Sequence, residues 1–123
     1  MKKSFRKITA FLLLFAGLLN SSAVFAAEKY NLVLFYADWN VYSKNAISTL
    51  EEVSNNFQEI SLEKINIDDK KAFVRMKQLG VMPTNSIPYF FLIDDDNKVL
   101  YGSSYKHESA KTISEILNKK IEN

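Results

Sequence analysis

The chain contains no cysteine. That absence excludes disulfide bonds, thiol–disulfide exchange, a cysteine nucleophile, cysteine-based zinc sites and a lipid-modified N-terminal cysteine. Histidine occurs once, at His107, so a site built from several imidazoles is excluded as well. Three glycines and two prolines leave few obligatory bends, and each of them marks where the chain must turn. No uninterrupted apolar run reaches the roughly 18 residues that a bilayer span requires. What is present is ordinary for one globular domain: 123 residues, 47% hydrophobic and 24% charged.

The N-terminus has a different character from the rest. Lys2, Lys3, Arg6 and Lys7 precede an apolar stretch, Ile8 to Leu19. Asn20, Ser21 and Ser22 interrupt it, and Val24-Phe25-Ala26 places small residues at both specificity positions of a cleavage site. This is the layout of a secretory signal peptide. It predicts a signal over residues 1–26, a domain over 27–123, and export. The bacterial style of the signal points to the periplasm, with secretion outside the cell as the alternative. A retained N-terminal anchor is the competing reading, and the short apolar core argues against it. The segment holds four of the 16 basic residues and none of the 14 acidic ones, so the remainder has an excess of two acidic residues. No basic stripe is left for nucleic acid, and no membrane contact is expected after removal. An exported domain without cysteine must be held by its apolar core alone.

Leu32 to Ala37 is nearly continuous apolar sequence, as expected of a central strand buried on both faces. Asp38-Trp39-Asn40 turns the chain, with Asn40 as the predicted N-cap, its oxygen accepting from Tyr42 or Ser43. Ala46, Leu50, Val53 and Phe57 recur at helical spacing, with Ile47 widening the stripe, and predict a helix from about Val41 to Phe57. Ile60 to Ile67 alternates as a second strand. Asp68-Asp69 can cap a helix whose buried side is marked by Phe73, Met76 and Leu79 and which Gly80 ends. Val81 to Ser86 is a loop. Pro88 to Ile93 is an apolar third strand with the proline at its first residue. Asp94-Asp95-Asp96-Asn97 makes a tight turn, and Lys98 to Ser104 returns as a hairpin partner. Ser109 caps a last helix striped by Ile113, Ile116, Leu117 and Ile121. The order β-α-β-α-β-β-α predicts an α/β fold, with a four-stranded mixed sheet and helices on both faces.

These strings resemble the thioredoxin family. The resemblance rests on Phe35-Tyr36-Ala37-Asp38-Trp39, on Lys64-Ile65-Asn66-Ile67-Asp68, and on Leu79-Gly80-Val81 leading into Ile87-Pro88, and runs from about Leu32 to Lys119. It implies the minimal thioredoxin-like fold, without the usual extra N-terminal strand and helix and with a longer loop before Pro88. The family's strand ends in Trp-Cys-x-x-Cys, and here the frame reads Trp39-Asn40-Val41-Tyr42-Ser43. Asn40 stands at the nucleophile position and Ser43 at the resolving one. Leu34 stands where the family has a buried acid, while Lys64 remains. Neither an amide nor a hydroxyl can replace a thiolate in exchange chemistry, so the family's redox activity does not carry over. The geometry does: the resemblance implies a cis bond before Pro88, beside a groove where an extended segment adds as a strand. Trp39, Tyr42, Ile87, Pro88 and Tyr89 would line it.

Three readings of function follow. The first is a binding module, chaperone-like or accessory, that takes another exported protein or an extended peptide in that groove. The second is a non-redox enzyme with a pocket at Asp38, Ser43 or Lys64, which needs a base within reach of a nucleophile. The third is a structural interaction domain whose contact surface lies elsewhere. No catalytic residue, cofactor or metal is predicted. His107 reads as solvated, and the acidic run Asp94 to Asp96, though calcium-like in composition, is explained by a hairpin turn.

Overall fold

The computed structural model describes residues 29–82 and 86–122; the expected signal, its cleavage site and the middle of the loop before Ser86 lie outside the described residues. Among the described residues four strands and three helices follow in the expected order. They are β1 (Tyr30–Tyr36), α1 (Ser43–Asn55), β2 (Ile60–Asn66), α2 (Lys70–Leu79), β3 (Tyr89–Asp94), β4 (Val99–Ser104) and α3 (Ala110–Glu122). The sheet order is β2-β1-β3-β4. β1 runs parallel to β2, from Tyr30 opposite Ile60 to Tyr36 opposite Asn66, and antiparallel to β3, with Phe35 opposite Tyr89. β3 and β4 form the antiparallel hairpin.

The apolar run of β1 serves two cores because alternate side chains leave opposite faces of a strand. Leu32 and Leu34 join Phe90 and Leu92 under α1 and α3, against Ala46, Leu50, Val53, Ile113 and Leu117. Val33 and Phe35 join Ile65, Phe91 and Ile93 under α2, against Ala72 and Leu79. Leu34 is fully buried, so the position that holds an acid in the resembling family is here part of a dry core. Each large side chain buried this way is worth about 1.5–3 kcal/mol.

Several expectations are corrected. α1 is shorter than Val41 to Phe57, because residues 41 and 42 form a turn and Tyr42 occupies the N-cap position without a side-chain cap. Asn40 therefore does not cap the helix directly, although its Oδ1 does accept from the Tyr42 N–H at 2.8 Å. On α2 Ala72 and Leu79 are buried, Met76 is half-buried against the same core, and Phe73 is 63% exposed. The small Ala72 faces the sheet, and Phe73, one residue on, turns outward under the Lys77 ammonium, 5.4 Å from its ring centroid. Pro88 stands just before β3 rather than within it. Asp69 caps α2 by accepting from the Lys71 N–H, Gly80 ends it with φ +66°, and Ser109 Oγ accepts from the Thr112 N–H at the start of α3, all as the residue types predict.

Candidate functional site

The candidate site lies at the end of the sheet where β1 delivers the chain into α1. Ala37 is fully buried, and its N–H needs a partner once β1 ends. Ser43 supplies it: its Oγ accepts from the Ala37 N–H at 3.1 Å, and the residue is 3% exposed. This serine is thus a clamp between the last residue of the strand region and the first of the helix.

Asn40 is held at both ends. Its Oδ1 takes the Tyr42 N–H, and its Nδ2 donates to the Ile87 carbonyl at 3.0 Å. A planar amide, which can accept and donate at once, suits this position, since one neighbour is an N–H and the other a C=O. The Ile87–Pro88 peptide is cis, and the Pro88 carbonyl accepts from the Tyr105 N–H at 2.9 Å. The cis segment is therefore tied on one side to the turn before α1 and on the other to the chain after β4.

Between these ties the apolar side chains of the turn face outward. Trp39 is 67% exposed, Val41 79% and Tyr42 47%. The Trp39 indole is positioned by its edge: Nε1 donates to Asp68 Oδ2 at 3.1 Å. Asn66 steadies that contact, accepting from the Asp68 N–H and donating Nδ2 to Asp38 Oδ2, each at 3.0 Å. Tyr42 packs edge-on against His107, with ring centroids 4.8 Å apart, and His107 in turn packs on Tyr105. Ile87 is half-buried against the α2-side core and Pro88 is buried. Tyr89 is half-buried too, its ring tilted on Phe91 at 4.9 Å, so it contributes less open surface than Trp39 and Tyr42.

Asp38, Ser43 and Lys64 are not brought together. Asp38 is bonded to Asn66, and Ser43 is bonded to backbone. Lys64 pairs with Glu51 at 2.9 Å, and that hydrogen bond is the leading cause raising its pKa. Among the described residues Ser43 has no base within hydrogen-bond distance. The acidic run behaves as a turn: Asp94 Oδ1 accepts from the N–H groups of Asp96 and Lys98, each at 2.9 Å, and Asn97 takes φ 63°. The contributions of Asn66 and Asp68 to the site were not visible in the sequence. The Asn-x-Asp spacing signals a local side-chain turn, but nothing local says that Trp39 lies across it.

Comparison with known proteins accords with this geometry. The family model described as Thioredoxin matches residues 20–119. No curated protein matches the chain. Among solved structures it is similar to thioredoxin-2, described as a component of the malaria parasite's protein secretion machinery, at 15% identity and TM-score 0.59, covering 74% of this chain and 82% of that one. It is also similar to a thioredoxin variant from Halobacterium salinarum, at 17% identity and TM-score 0.59, covering 76% and 75%. A third is the germline-specific thioredoxin Deadhead of Drosophila melanogaster, at 19% identity and TM-score 0.55, covering 75% and 81%. At these identities the likeness concerns the fold.

Proposed function

The chain belongs to the thioredoxin family, and from that premise we propose that it is an exported, redox-inactive member that binds an extended segment of another protein beside the Ile87–Pro88 bend. The observation that carries this reading is a division of labour within one turn. The residues at the family's two thiol positions, Asn40 and Ser43, have their polar atoms bonded to the protein's own backbone, whereas Trp39, Val41 and Tyr42 between and beside them are turned to solvent. A redox site presents its reactive atoms, while a docking site presents apolar and aromatic surface. The sequence holds no cysteine with which to run exchange chemistry. The periplasm is the proposed compartment, from the signal-like N-terminus.

A second reading, the interaction domain with its surface elsewhere, draws on β2. Among the described residues this strand is an edge of the sheet, and shallow depressions flank it, one beside Glu51, Leu62 and Lys64 and the other beside Glu63, Arg75 and Gln78.

Photo-crosslinking residues at Val41 and at Tyr42 test the first reading, with a control at Asp95. The control lies at the far end of the sheet, since Asp94 pairs with the start of β1. Recurrent capture of the same exported protein from Val41 and Tyr42, and not from Asp95, is the expected result. Capture from Gln58 beside β2, with none from the turn, would replace the first reading by the second.

A further inference from the structure

Resting on that reading, we propose that the segment taken by this surface is proline-bearing and basic, and that it lies in polyproline II conformation rather than joining the sheet as a strand. A segment that adds to a sheet needs open main-chain acceptors for its N–H groups. Both carbonyls of the cis segment already accept one hydrogen bond, Ile87 from Asn40 Nδ2 and Pro88 from the Tyr105 N–H, and Pro88 has no N–H to offer. An incoming strand would have to share each carbonyl with a donor already in place, through its second lone pair, or displace an amide held at both ends. A proline residue has no N–H to leave unpaired and presents its carbonyl only as an acceptor. Among the described residues the Tyr42 hydroxyl has no protein partner, so the surface keeps an open donor beside two carbonyls that already accept one bond each. Polyproline II segments are already extended and dock on exposed aromatic surfaces, and Trp39, Val41 and Tyr42 present such a surface within four residues.

The charge follows from the rim. Asp38 and Asp68 are exposed and joined through Asn66, with Trp39 hydrogen-bonded to the second. The ion pairs among the described residues, Lys64–Glu51 and Arg75–Glu63, involve neither. A lysine or arginine in the docked segment would reach these carboxylates and the open face of the indole together.

The test uses Trp39 itself, the single tryptophan of the chain, as a fluorescent reporter. Three acetylated and amidated octapeptides are titrated at low and high salt: APPLPPRA, its acidic counterpart APPLPPEA, and the strand-forming ATVTVTRA. The expected result is a saturable shift of Trp39 emission with APPLPPRA, and binding about tenfold weaker or more for each of the others. Combining Asp38→Asn with Asp68→Asn should weaken APPLPPRA toward its acidic counterpart and flatten the salt dependence, with the amides keeping hydrogen-bond acceptors for Asn66 and Trp39. Asn40→Ala should free the Ile87 carbonyl and narrow the gap between ATVTVTRA and APPLPPRA. Equal or tighter binding of ATVTVTRA to the unmodified chain would overturn this inference and leave the docking surface standing. Binding of none of the three peptides, with a partner still captured from Val41 and Tyr42, would overturn it too. No binding and no capture would remove both.

Discussion

Replacing Ser43 by alanine separates a structural hydroxyl from a chemical one. In the folded chain the Ser43 Oγ is the acceptor for the Ala37 N–H, and both residues are buried. Ser43→Ala leaves that N–H without a partner where water does not reach it. An orphaned buried donor costs about 1–3 kcal/mol. Alanine returns up to about 0.5 kcal/mol through its higher helix propensity, and less at a first helical position. The net loss is therefore about 0.5–3 kcal/mol. At about 4–8 °C per kcal/mol for a domain of this size, that lowers Tm by roughly 2–24 °C. Urea unfolding followed by circular dichroism measures it, and amide exchange at Ala37, expected to accelerate, locates it. Ser54→Ala is the control, because its hydroxyl donates to the Glu51 carbonyl on an exposed helix surface, and its effect should stay within about 0.5 kcal/mol. A Ser43→Ala protein as stable as the control, with Ala37 still protected, would refute the clamp and reopen a chemical role for the hydroxyl.

Gly102 on β4 lies under the Phe91 ring, where an added Cβ would sit 2.8 Å from Phe91 Cδ1. Since Phe91 is itself wedged against Phe35 and Tyr89, Gly102→Ala should lower the urea midpoint by about 1–3 kcal/mol equivalent. Arg75 grips both Glu63 oxygens at 3.0 Å and reaches Asn97 in the β3–β4 turn, so Arg75→Ala should cost about 1–2 kcal/mol in the same assay. Lys64→Ala breaks a pair that is more than two-fifths exposed on both sides and should cost about 0.5 kcal/mol or less. Alkaline pH should weaken the fold in a defined window. Lys64 is raised by its Glu51 hydrogen bond, and Tyr30 is raised by burial and then by Glu59, Asp94 and Asp95. Both then favour the folded state fully below their unfolded values near pH 10 and lose that contribution as pH rises through the folded ones. A urea midpoint that climbs above pH 10 would contradict this.

The element order, the strand buried on both faces and the loss of thiol chemistry were legible in the chain itself. They depend on local pattern and composition: apolar runs, helical spacing, capping residues and the absence of one residue type. The family likeness was legible for the same reason, being carried by short strings in a fixed order. Where two neighbours compete for one face the pattern was silent. Ala72 and Phe73 are both apolar, and only the packing of α2 on the sheet decides that Ala72 is buried and Phe73 exposed. The site was legible only as a list of residues. That Asn40 would seal the Ile87 carbonyl across 47 positions, that Asp68 would hold the Trp39 indole across 29, and that Ser43 would face inward while Tyr42 faced outward are consequences of how the strand ends meet. Hydrogen-bond direction and exposure belong to pairs of groups distant in the chain, and only the packed fold brings those pairs within reach of each other.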